Sequence, residues 1–223
     1  MATEYNPRIV TDNLILYLDA ANTKSYPGTG ATWTDMSSDL SGTITGATWS
    51  NGEFTFDGDN DVISISNNDA FHFGSGDFTV EVWAYFTTLS GWNAVYMTRD
   101  SHTHFSPLVI TTNNTDLRVY SATGSGSWNI LNAASYGTIS TNTWYQIVVT
   151  RVGNTFTRYL NTSSIGTNTS SSTLWANGSA LKIGESVNSM AGKIPIVRAY
   201  KGKGLTAAEV KQNFDAHKGR YGL

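Results

Sequence analysis

The chain has 223 residues, enough to bury roughly 70% of its unfolded surface around one core without a covalent staple. It contains no cysteine, which excludes disulfides and thiolate metal sites. Charged residues make up only 14%, against roughly 25% in an average soluble domain. A formal charge of −3 offers no basic footprint for phosphates, which argues against nucleic acid as a partner.

Hydrophobic residues at 39% are too many for a disordered chain. The polarity sits mostly in Ser, Thr and Asn, with 12% aromatics and 21 Gly beside 4 Pro, a balance that reads as all-β. The longest apolar run, Leu14 to Leu18, is far too short to cross a bilayer, so no membrane partner is expected.

The first thirteen residues, MATEYNPRIVTDN, carry Glu4 and no apolar segment. They read as an N-terminal arm (1–13) and not as a secretion signal. Strand-like runs then recur between turn signals. They are Leu14–Asp19, Glu53–Phe56, Val62–Ser66, Phe78–Phe86, Ala94–Thr98, Leu117–Ser121, Trp144–Arg151, Thr155–Leu160, Ala180–Ile183 and Ile194–Tyr200. Their close spacing, with no helical pattern between them, predicts an antiparallel β-sandwich over a βαβ fold.

In DFTVEVWAYF, period two puts Phe78, Val80, Val82, Ala84 and Phe86 on a core face. Thr79, Glu81, Trp83 and Tyr85 then form an aromatic and polar outer face. Trp144–Arg151 is apolar on both faces in its middle, which places it centrally in a sheet. TGSGS (123–127) and NTSSIGTNTSSST (161–173) read as loops or polar edge strands, not as domain boundaries. The one helix is expected over 205–219. Thr206 and Glu209 make a capping box, Ala207, Val210, Phe214 and His217 make a stripe at helical spacing, and Gly219 is a stop. It should lie across the sandwich as a lid. Nothing divides the chain, so residues 1–223 are expected to form one domain.

Taken in order, FDGDNDVISI (56–65), DFTVEVWAYF (77–86), TWYQIVVTRVGNTFTRYLN (143–161) and ALKIGESVNSMAGKIPIVRAYKGKGLTAAEV (180–210) resemble the laminin-G-like, concanavalin A-like jelly-roll superfamily. The opening LYLDAANTKSYPGTGATWTDMSS (16–38) and the closing LTAAEVKQNFDAHKGRYG are similar, more narrowly, to versions found in tailed-phage genomes, particularly those of marine cyanophages. The chain departs from the family pattern at Ile194-Pro195-Ile196, where an acidic residue is common, and at Asn161-Thr162, where Asn-Gly is familiar.

Candidate sites are few. Asp57, Asp59, Asn60 and Asp61 gather hard oxygen donors of the kind calcium needs, and the resemblance implies calcium near such a loop. The same run is also ordinary hairpin chemistry. Asp19 and Asp35 are further conceivable ligands. His102 and His104, with Asp100 nearby, have a spacing that suits a transition metal. Trp92, Trp128 and Trp175 stand beside Gly, Ser and Asn, where exposed rings can stack on sugars, serve as interface hot spots or fold back onto the core.

No enzyme activity is expected. Glycan hydrolysis needs two placed carboxylates, but the relevant strand offers only Glu81, and no nucleophile elbow or zinc motif occurs. The expected function is a non-catalytic structural or adhesive protein on the virion surface of a tailed phage. Its partners would be shell or tail proteins, and it would be displayed as a symmetric homo-oligomer. The alternative is a carbohydrate-binding, lectin-like module, with or without calcium, whose partners are glycans.

Overall fold

The computed structural model describes residues 8–98, 105–185 and 189–223. Among them the strands are β1 (Leu14–Asp19), β2 (Thr32–Trp33), β3 (Gly42–Thr45), β4 (Thr48–Ser50), β5 (Glu53–Asp57), β6 (Val62–Ile65), β7 (Phe78–Phe86) and β8 (Ala94–Met97). The second half of the chain adds β9 (Val109–Asn113), β10 (Asp116–Ser121), β11 (Leu131–Thr138), β12 (Trp144–Val152), β13 (Thr155–Leu160), β14 (Ser163–Thr169), β15 (Leu181–Ile183) and β16 (Ala191–Lys201), then helix α1 (Ala207–Asp215).

They form two antiparallel sheets. The first runs β14-β13-β12-β7-β16-β5-β4, with β1 also paired to β16. The second runs β11-β10-β9-β8-β15-β6-β3-β2. Phe78, Val80, Val82, Ala84 and Phe86 of β7 enter the core between them, as period two requires, and meet inward residues such as Ile63, Val95 and Val119 of the second sheet. Strand β12 lies between β7 and β13, in the central place its two-faced apolarity calls for. The polar run 163–169 is an edge strand, paired only through β13.

Pro195 interrupts β16 where it changes partner. Residues 191–194 pair with β5 and residues 196–200 with β1, and the register against β7 shifts between Lys193 and Ile196. A proline lacks the N–H a ladder needs, so it is tolerated at such an irregularity. Gly192, at φ +155°, lets the Tyr85 carbonyl approach to 2.0 Å from where a Cβ would sit.

The helix carries the expected capping box, with Thr206 and Glu209 bonding reciprocally, but it ends at Asp215 and continues as a short 3₁₀ turn at Lys218–Arg220. It lies on the outer face of the first sheet. Phe214 stacks on Trp83 at 5.5 Å and 17°, and Val210 joins Val148, Tyr159 and Tyr200 in a second buried cluster. The arm is clamped to it: the Val10 amide donates to Asn213 at 2.8 Å and the Tyr200 hydroxyl to the Val10 carbonyl at 2.9 Å. No helix among the described residues is long and apolar enough to cross a membrane.

Candidate functional site

The outer faces of the two sheets have opposite fates. On the first, the period-two pattern that exposes Glu81 and Trp83 in sequence is overridden by the C-terminal helix. Glu81 is fully buried. Its Oε1 accepts from Arg198 at 2.8 Å, Gln146 at 3.0 Å and the Trp83 indole at 3.1 Å, and its Oε2 accepts from Asn213 at 2.8 Å. Burial works against the Arg198 charge, but Glu81 together with Tyr17 and Tyr200 outweighs it and keeps the guanidinium protonated. Arg198 also contacts His217, whose imidazole is pushed down to about 2 by burial and by Arg198 and Arg220. Every Glu81 lone pair that faces a donor is occupied, so this carboxylate is a structural keystone with no access to a substrate.

A cleft of about 650 Å³ opens beside this network, between the arm, β1 and the end of the helix. The polar groups on its floor are already committed: the Tyr17 hydroxyl bonds Asp19 at 3.2 Å, and His217 faces Arg198.

The second sheet presents its outer face differently. Along β10, Leu117 and Val119 point into the core, so Asp116, Arg118 and Tyr120 point outward. Trp92 reaches Tyr120 from the turn before β8, at a ring distance of 5.7 Å. Trp128 also meets Tyr120, at 5.2 Å, and Phe105 packs edge-on against Trp128 at 4.9 Å. Ala94, Met97 and Val109 floor this strip.

Trp92 is 42% exposed, and Trp128 and Phe105 are half-buried, so the strip shows ring surface to solvent while its base is fixed. Beside it, the Arg118 Nε donates to Asp116 at 2.7 Å and its Nη1 to the Tyr120 hydroxyl at 3.4 Å. Those two bonds use two of five guanidinium N–H donors. Ser135, on neighbouring β11, donates to the other Asp116 oxygen. An aromatic strip flanked by spare donors and carboxylate lone pairs suits a ligand with apolar C–H faces and hydroxyl rims.

The structure therefore unites Trp92 with Trp128 and places Trp175 elsewhere. Trp175 lines a separate pocket of about 500 Å³ with His72, Gly74, Thr123, Ser172, Thr173, Leu174 and Ala176. Sequence reasoning missed Tyr120, Phe105, Asp116 and Arg118. The outward set was readable in the alternation of DLRVYS once the face of β10 was known.

The Asp57–Asp61 run is a hairpin whose donors do not converge. The buried Asp61 carboxylate accepts from the Asp57 amide at 2.8 Å, and the Asp57 carboxylate accepts from the Asp59 amide at 2.9 Å. Asp59 and Asn60 are exposed, and Ser189 reaches back to the Asp59 carbonyl. Among the described residues, no group of three or more His, Asp or Glu side chains is placed to hold a metal. Asp35 is spent on the amides of Tyr17, Ser37 and Ser38, and Asp19 on a two-point ion pair with Arg220 at 2.7 and 2.9 Å. Asp100, His102 and His104 lie outside the described residues.

Solved structures share the architecture. A mutant of Trypanosoma rangeli sialidase displaying trans-sialidase activity superposes with a TM-score of 0.71 over 94% of this chain and 34% of its own, at 15% identity. The binding domain of botulinum neurotoxin DC in complex with SialylT does so at 0.69 over 92% of this chain and 52% of its own, at 12% identity. A botulinum neurotoxin type C structure, described as dependent on two ganglioside molecules for cell entry, gives 0.68 over 93% and 52%, at 11% identity. This chain thus spans about a third of the sialidase and about half of the neurotoxin chains. At such identities the likeness is one of fold. No curated protein matches the sequence. The family model of the concanavalin A-like lectin/glucanases superfamily matches residues 57–211, from the Asp57 hairpin through β16 into the C-terminal helix, and the chain belongs to that superfamily.

Proposed function

We propose that the protein is a non-catalytic, glycan-binding adhesive module that holds a saccharide against Trp92, Tyr120 and Trp128. The observation that carries this reading is the outward aromatic strip on the second sheet, with Arg118 and Asp116 beside it to hydrogen-bond hydroxyls. The neurotoxin structures named for SialylT and ganglioside ligands support it as neighbours in fold. Hydrolysis is disfavoured. Glu81 is locked beneath the helix, and among the described residues the strip carries one carboxylate, Asp116, where a glycosidase sets two about the scissile bond.

The setting we infer is the outer surface of a tailed-phage particle, supported by the resemblance of the opening and closing segments to phage proteins. Shell or tail proteins would be the docking partners, and a symmetric oligomer would multiply weak sugar contacts. A fibre-like adhesin accords with a sugar-facing sheet better than a purely decorative role on the capsid.

The test is a glycan array of the purified protein, run in calcium and again in EDTA. Binding to a defined sugar class in both buffers is expected, because Asp116 is the strip's one carboxylate among the described residues and no metal-holding group of His, Asp or Glu side chains is found among them. A blank array in both buffers overturns the reading. Binding only in calcium would transfer the site to Asp57, Asp59, Asn60 and Asp61.

A further inference from the structure

Building on that glycan-binding reading, we propose that the Trp175 pocket is a second saccharide subsite continuous with the aromatic strip, so that the protein takes a linear oligosaccharide and not a single terminal sugar. The pocket combines an indole with the hydroxyls of Ser172, Thr173 and Thr123. Both His72 ring nitrogens are occupied, by Asp69 at 3.1 Å and Asn67 at 3.2 Å, so that side chain adds a fixed wall.

The walls are held from below. Arg151, fully buried, donates to the carbonyls of Gly74 at 3.1 Å, Ser170 at 3.2 Å and Gly153 at 2.9 Å. The Leu174 amide donates to the Gly74 carbonyl at 2.9 Å, which joins the two walls directly. A pocket fixed in this way loses little entropy when a ligand enters it.

The pocket is also tied to the strip. The Trp175 amide donates to the Ala122 carbonyl at 3.1 Å, two residues beyond Tyr120 on the same chain segment. Asn177 donates to the Thr98 carbonyl at 2.6 Å, next to Met97 in the floor of the strip. Thr123 and Asn129 bond each other twice, at 2.9 and 2.7 Å, closing the base of the loop that carries Trp128. Two residues of strand and one interstrand step put the backbones of Tyr120 and Trp175 at most about 12 Å apart. That is the span of a short oligosaccharide. The loop 124–127, which leads along the chain from Thr123 in the pocket to Trp128 in the strip, is Gly-Ser-Gly-Ser, and a Cβ added at Gly124 or Gly126 would meet nothing within 4 Å.

The experiment is calorimetric titration with linear glucose, galactose and N-acetylglucosamine oligosaccharides, from monosaccharide to hexasaccharide, on the full chain and on Trp175→Ala. For a bound series, wild-type affinity should rise at least tenfold between the disaccharide and the longer members. Trp175→Ala should erase that rise while leaving the shortest binding members unchanged. A second variant, Ser172→Ala with Thr173→Val, removes hydroxyls without touching the Leu174 anchor and should erase part of the rise. Equal affinity at every length, or an equal loss at every length in Trp175→Ala, overturns the second subsite and leaves the strip standing. No heat with any probe at any length sinks the strip and the subsite together.

Discussion

Replacing Glu81 by Gln separates a structural carboxylate from a catalytic one. The substitution keeps the shape but removes the charge facing Arg198, and both residues are fully buried. It also turns an amide toward donors, since Arg198, Gln146, Trp83 and Asn213 all give hydrogen bonds to the native carboxylate. Breaking a buried ion pair by removing one partner costs about 3–5 kcal/mol, chiefly because the remaining charge is left uncompensated. For a domain of this size each kcal/mol lowers Tm by about 2–4 °C, so the midpoint should fall by about 6–20 °C. Thermal unfolding followed by circular dichroism reads this directly. Replacing Glu81 and Arg198 together by Met should recover part of the loss, because no lone buried charge remains, although Trp83 and Asn213 still lack their acceptor. A Glu81→Gln protein that melts within a degree or two of wild type would refute the network and return Glu81 to the list of accessible carboxylates.

His217 sets a pH dependence. Its folded value lies near 2, below the ordinary 6.5, so between these values the unfolded chain binds the extra proton. The stability is fully present above pH 6.5 and is lost as pH falls, by about 1.4 kcal/mol per unit, and chemical denaturation between pH 6.5 and 4.5 should show that slope. His217→Gln should flatten it, and a slope unchanged by that substitution would show that His217 is not its source. Gly184→Ala should destabilise by about 2–4 kcal/mol, because at φ +77° its Cβ would fall 2.1 Å from the Phe56 ring, and a normal denaturation midpoint would contradict the packing. Thr206→Ala removes the cap on the Glu209 amide and should lower Tm by about 2–4 °C, from a loss of about 1 kcal/mol.

Strand-like runs bounded by turn residues such as Asn13, Asp77 and Asn154 were legible in the sequence to the residue: Leu14–Asp19, Phe78–Phe86 and Thr155–Leu160 stand as read. The capping box was equally plain, because Thr206 and Glu209 are three residues apart and settle each other locally. Strand β11 was missed because Ala133, at φ +51°, sits in a register shift that breaks the alternation of LNAASYGT. The fate of Trp83 was not legible either. A period-two pattern marks the face opposite the core, but cannot say that Phe214 and Tyr221 arrive from far along the chain to cover it. The same limit explains the site. Trp92 and Trp128 announced themselves by their polar neighbours, whereas Tyr120 became their bridge only when β10 was placed beside β9 and β11.

The most direct test of the central claim is the affinity of Trp92→Ala for the glycan that the array selects. Trp92 is 42% exposed, so its loss should leave the melting temperature nearly unchanged. As a stacking anchor it should carry at least about 2 kcal/mol of binding, a loss of about 30-fold in Kd. A stable variant that binds the glycan as tightly as wild type would contradict the aromatic strip as the binding site.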